Sequence, residues 1–175
     1  GDKQGPIPAA YPKGYNSFYC MKYDISQGQY ADFLNKLTSN QCKTRYNQIA
    51  LTQRYTLEGL WPEISASKAD RACNYLSWAD LAGYLDWAAL RPMTELEFEK
   101  ACRGPERPVA NEYPWGTTKY VTLTNEDESA GSGHETALPT NANVSFICCD
   151  APLGSGPVRV GIFARTGSTR EESGS

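Results

Sequence analysis

Cysteine is the first residue type to weigh for chemistry in this chain. Six stand at positions 20, 42, 73, 102, 148 and 149. A reactive thiol needs a stabilised thiolate and exposure. Cys102 falls late in an expected helix, on its apolar face, which disfavours the thiolate. Cys20 falls in an apolar stretch, and neither reads as a nucleophile. No CxxC pair occurs, which argues against a zinc ribbon. An even count fits disulfides in an oxidising compartment, so Cys20, Cys42, Cys73, Cys102, Cys148 and Cys149 are all disulfide candidates, with no pairing assigned. The adjacent Cys148 and Cys149 would point to opposite faces of a strand. The alternative is free thiols filling small core sites.

Other polar groups carry weaker signals. His134, the single histidine, lies in the loop-like "AGSGHETA", and no nucleophile-elbow pattern accompanies it. "TNEDES" at 124–129 offers oxygen ligands of the kind calcium takes. It lacks the EF-hand spacing and glycine, and reads as a solvated acidic turn. "GSGP" and "GSG" open no helix after a strand and are followed by no Walker lysine, so they are not phosphate loops.

The three glutamates of "RPMTELEFEKACRG", residues 91–104, are better explained by position than by catalysis. Thr94 and Glu97 form a capping box, with Met93 and Phe98 placed as its hydrophobic staple. Phe98, Ala101 and Cys102 share one face at helical spacing, so the segment reads as a core helix. Gly104 and Pro105 stop it. Glu95, Glu97 and Glu99 lie near the positive end of the helix dipole. The same grammar recurs twice. "ISQGQYADFLNKL" has Ser26 and Gln29 as capping box and Tyr30, Phe33, Leu34 and Leu37 as apolar stripe. "LSWADLAGYLDW" has Ser77 and Asp80, followed by Leu81, Tyr84 and Leu85. These spacings predict helices at about 27–38, 78–88 and 95–103.

Strand signals are shorter: "SFYCMKYDI" at 17–25, "VSFICC" at 144–149 and "VRVGIFA" at 158–164. Residues 104–143 and 150–157 are rich in loop formers. Early helices with scattered short strands and long loops predict an α+β fold with a small mixed or antiparallel sheet. At 175 residues and 40% hydrophobic content, one domain over 1–175 is expected, with a sizeable core. A net charge of −3 and no basic run argue against a nucleic-acid footprint. No apolar run approaches the roughly 20 residues of a membrane span. The opening "GDKQGPIPAAYPKGY" and closing "TREESGS" read as a processed or partial chain.

Taken together, "RPMTELEFEKACRG" and the later "NEYPWG" resemble the formylglycine-generating enzyme, or sulfatase-modifying factor, family. Arg91, Thr94, Glu95, Glu97, Glu99, Ala101, Arg103 and Gly104 match its motif, as do Tyr113, Pro114, Trp115 and Gly116. Phe98 replaces a tryptophan, and Pro92-Met93 alters a leucine-proline order. "YDISQGQYADFL" and "LSWADLAGYLDW" resemble the family's first two helices. The resemblance implies a C-type-lectin-like α+β fold, often extracytoplasmic. Some members are copper-dependent oxidases that convert a sulfatase cysteine to formylglycine. Others are binding proteins, including retroelement-diversified ones, and this chain looks closer to the bacterial binding branch. The oxidase's copper-binding cysteine pair lies toward the family's C-terminal end, and no cysteine here matches it. The family often carries calcium after Tyr-Pro-Trp-Gly, which makes Asn143 of "NANV" the matching ligand.

The expectation is therefore a non-catalytic, exported ligand-binding or adhesion module, secreted or on the surface of a bacterium. Its partner would be a protein or glycan. The alternative is a formylglycine-generating-type copper oxidase, or a fragment of one. Arg91, Thr94, Glu97, Phe98, Arg103 and Trp115 are expected to be structural rather than catalytic. The strands near 144–149 and 158–164 are expected to leave an open edge, to be closed by a missing C-terminal segment or a neighbouring subunit.

Overall fold

The computed structural model describes residues 5–48, 53–127, 135–145, 156–164 and 169–173. Helix α1, Gln27–Lys36, begins where Ser26 Oγ accepts from the Gln29 amide and the Gln29 side chain accepts from the Ser26 amide. Its stripe of Tyr30, Phe33 and Leu34 is fully buried. Helix α3, Trp78–Trp87, and helix α4, Glu95–Arg103, start on the capping boxes of Ser77 and Thr94. All three expected helices are present, the first two ending slightly earlier than their spacing suggests. Helix α2, Ser39–Arg45, was not anticipated, although Thr38 and Gln41 form a fourth capping box. A short α5 spans Arg170–Ser173.

The principal core lies between α1, α2, α3 and one hairpin. It includes Tyr30, Phe33, Leu34, Cys42, Tyr55, Leu57, Ile64 and Tyr84. Phe33 meets Tyr84 edge-on, with ring centroids 5.6 Å apart. The hairpin pairs β1, Leu57–Glu58, antiparallel with β2, Ser65–Ala66. A second antiparallel pair joins β3, Asn125–Asp127, to β4, Thr136–Leu138. Beside it sits a smaller core of Leu123, Ala137, Ala142 and Ile162. The molecule is mixed α+β, with two two-stranded antiparallel sheets among the described residues.

Three expectations need correction. Residues 17–25 are not a strand; pairing begins only at the isolated bridge between Ser26 and Ala72. Residues 158–164 are mostly turn, with one bridge from Arg159 to Arg71. Of 144–149, Val144 makes one parallel bridge to Thr122, and 146–149 lie outside the described residues. Strand propensity needs a neighbouring ladder to become a strand. The third concerns α4. Phe98 is 57% exposed and Met93 42%, so the staple does not enter the core. Only Glu97 of this helix is buried.

A buried carboxylate lies between the two cores. Glu135 is 2% exposed. Its Oε1 accepts from Arg54 Nη2 at 2.8 Å and from Arg71 Nε at 2.9 Å. Its Oε2 accepts from the Arg159 amide at 3.0 Å, and its carbonyl accepts from Arg159 Nε. Gln27, fully buried, continues the network. Its Oε1 accepts from the Thr56 amide and hydroxyl, and its Nε2 donates to the Arg54 and Ala72 carbonyls.

Candidate binding groove

Residues 19–25 run across the molecule like a strap. Between this strap, α3 and the 90–93 segment lies an open groove of about 660 Å³. Met21, Ile25, Leu76, Leu81 and Leu90 supply its apolar lining, and all belong to or pack against the principal core. Tyr19, Tyr23 and Trp78 stand at it with exposures of 98%, 41% and 69%. A second groove of about 470 Å³ lies between the strap and 156–164. Tyr23 and Gly161 line both. Gly161 has φ +68°, and a Cβ there would come 2.6 Å from the Tyr23 ring. Glycine is therefore required twice over, by the backbone and by the ring against it. An apolar concavity with aromatic walls and few charges suits recognition of a partly apolar ligand.

Two thiols line the groove. Cys20 is exposed. Burial pushes the Cys73 thiol up to about 12, so it stays protonated at neutral pH. Burial also raises the Cys42 and Cys102 thiols. Cys20, Cys42, Cys73 and Cys102 are free thiols, and no disulfide joins any two of them. Cys42 and Cys73 serve as small core residues instead. Cys148, Cys149 and His134 lie outside the described residues.

The motif residues are occupied locally. Glu97 binds Arg91 through two bonds of 2.7 and 2.8 Å, and its Oε2 also accepts from the Thr94 amide. These contacts, the Arg91 bond first, hold its carboxyl down at about 2. Thr94 Oγ1 donates to the Pro12 carbonyl, tying the N-terminal segment to α4. Arg103 bonds Glu99 and pairs with Glu112. Trp115, 6% exposed, donates to the Lys119 carbonyl and stacks on Tyr113 at 4.9 Å.

Asn143 is buried and clamps backbone. Its Oδ1 accepts from the Val121 amide at 2.8 Å, and its Nδ2 donates to the Glu171 carbonyl at 2.6 Å. One lone pair of Oδ1 remains for a cation, a thin contribution for an ion that takes about six to eight oxygens. Among the described residues, no three His, Cys, Asp or Glu side chains cluster as a metal site. No described helix is long and apolar enough to cross a membrane. The sequence reading missed Gln27, Arg54, Arg71, Glu135 and Arg159. Only the Gln27 position, at a helix start, carries any local signal.

Comparison with known proteins places these features. Over 90 residues the chain is 32% identical to hercynine oxygenase of Mycobacterium tuberculosis. That stretch covers 51% of this chain and 17% of the relative, so the chain spans under a fifth of that protein's length. No solved structure matches. Residues 3–158 match the family described as "Sulfatase-modifying factor enzyme 1-like domain". With most of its length covered, from the N-terminal segment through the capped helices to the Glu135 network, the chain belongs to the sulfatase-modifying factor family.

Proposed function

We propose that this domain is a non-catalytic ligand-binding or adhesion module on a C-type-lectin-like scaffold, exported to the surface of a bacterium. The observation that carries the reading is the open groove of about 660 Å³, with its apolar lining and the exposed rings of Tyr19, Tyr23 and Trp78. The motif carboxylates support it, because Glu97 and Glu99 are engaged with Arg91 and Arg103 of the same segment. The high thiol values of Cys42, Cys73 and Cys102 also support it, since thiols are poor nucleophiles. The test is binding of the protein to a glycan array and to a displayed peptide library. Trp78→Ala should abolish the binding found while leaving the melting temperature unchanged, because that ring is mostly exposed. Absence of binding on both supports counts against the module.

A second reading is favoured by the similarity to an oxygenase: a formylglycine-generating-type oxidase using copper. None of the four described thiols matches that enzyme's metal-binding pair. Oxidation of a cysteine peptide by the copper-reconstituted protein, with a cysteine pair near the end of the reading frame, would establish it over the first. Calcium at Asn143 has the thinner support. A melting temperature that rises with calcium and falls with chelator, both effects lost in Asn143→Ala, would place the ion there.

A further inference from the structure

The C-terminal end of α4 carries a cleft of its own, at the opposite end of that helix from the groove. Phe98, Cys102 and Arg103 form one wall and Tyr113, Pro114 and Gly116 the other, around about 210 Å³ of open space. Arg170 of α5 reaches into it, and its Nη2 donates to the carbonyls of Cys102 and Pro114. The Cys102 carbonyl is one of the last four of α4, which no amide inside the helix can reach. It also lies at the negative end of the helix dipole, where a cation is favoured. Converging carbonyls suit a planar guanidinium with several donors better than a compact ammonium. The Phe98 ring, exposed to solvent rather than packed in the core, and the Tyr113 ring give that plane flat neighbours. Glu99, Glu106 and Glu112 line the cleft against Arg103 and Arg170, so one negative charge is left over with Arg170 in place. Arg103 is already committed to Glu99 and Glu112, and Glu106 stands exposed.

The segment that carries Arg170 is lightly seated. Helix α5 has four residues, too few to be stable alone. None of residues 169–172 is buried, and α5 forms no packed interface with another described helix or strand. A further tie is the bond from Asn143 Nδ2 to the Glu171 carbonyl. We propose that this cleft is a receptor for an arginine side chain on a partner protein, which the chain's own Arg170 fills until that arginine displaces it. The resident side chain shows the chemistry that the cleft accepts, and the excess carboxylate favours a basic segment around the incoming arginine. A tethered Arg170 competes with an effective concentration on the order of millimolar, so the partner must add contacts from the residues beside its arginine. The exposed Glu106 and Phe98 are placed to receive them. This site is separate from the groove and adds a second recognition surface to the domain.

The test is calorimetry with Nα-acetylarginine amide as probe. Arg170→Ala should bind it with a dissociation constant on the order of millimolar. Wild type should bind it about tenfold more weakly or worse, because Arg170 competes. Nα-acetyllysine amide should bind the variant about tenfold more weakly than the arginine probe does. Adding Glu106→Lys to Arg170→Ala should weaken binding by about tenfold, by placing a like charge at the cleft. In 15N nuclear magnetic resonance of wild type, the Arg170 Nε–H signal, identified by its absence from Arg170→Lys, should move toward that of a free arginine as the unlabelled probe is added. No binding to folded Arg170→Ala overturns the proposal, as does equal binding by wild type or equal binding of the two probes. Binding that survives Glu106→Lys puts the probe elsewhere and overturns it too. Should Arg170→Ala fail to fold, the wild-type titration decides: an Arg170 signal that stays in place at about 100 mM probe, well above a tethered side chain's effective concentration, overturns the proposal.

Discussion

Glu97 shows how one side chain can look catalytic and be structural. Its carboxylate serves the capping box and the Arg91 guanidinium together, and its value near 2 lies below the ordinary 4.5. A carboxylate lowered by folding binds its proton more readily in the unfolded chain. Its stabilisation is present above about pH 4.5 and drains away as the pH falls toward 2. Melts between pH 6 and pH 2 should therefore show wild-type stability falling more steeply than that of Glu97→Gln, and parallel curves would deny the carboxylate this role. Thr94→Ala, which removes the cap itself, should cost about 1 kcal/mol in denaturant unfolding. Gln27 was legible only as the first residue of a helix. Its four bonds to backbone and hydroxyl partners arise from segments near 54, 56 and 72, which no local pattern connects.

Elements differ in how far the sequence announces them. A helix start is written within four residues, which is why α1, α3 and α4 could be placed from Ser26, Ser77 and Thr94. Helix α2 has the same signature at Thr38 and Gln41 but only seven residues and one buried side chain, Cys42, so periodicity is mute there. Strands need partners, and the partners of 17–25 and 158–164 could not be read locally. Periodicity also gives a face without saying what covers it. Phe98 lies on the apolar stripe of α4, yet the ring is 57% exposed. Phe98→Ala should accordingly cost less than about 1 kcal/mol, while Phe33→Ala, at 1% exposure, should cost about 3–5 kcal/mol. Equal losses in urea melts would contradict this ranking of the two helices.

At the scale of the molecule, one of the contacts between the two cores is ionic. Glu135 stands next to β4, beside the smaller core, and its arginine partners come from 54 and 71, beside the larger one, and from 159. Such a carboxylate is costly to bury, and its worth lies in what would be left without it. Glu135→Gln keeps the shape but removes the negative charge facing the Arg54 and Arg71 guanidinium groups, whose side chains are each 7% exposed. Removing one partner of a buried ion pair typically costs about 3–5 kcal/mol, because the other charge stays desolvated. An exposed pair such as Arg103–Glu99, with Glu99 59% exposed, should cost under about 1 kcal/mol when Glu99 is replaced by Gln. The expected pattern in urea melts is a large drop in midpoint for Glu135→Gln and almost none for Glu99→Gln. Because Glu135 touches both cores, its loss should also uncouple them. Hydrogen exchange of the Leu123 and Ala142 amides, in the smaller core, and of helix α1, in the larger one, followed against urea and coincident in the wild type, should separate into two transitions. A single coincident transition with an unchanged midpoint would show that the other contacts, including the main-chain bonds between 70–72 and 158–160, hold the two cores together without this carboxylate.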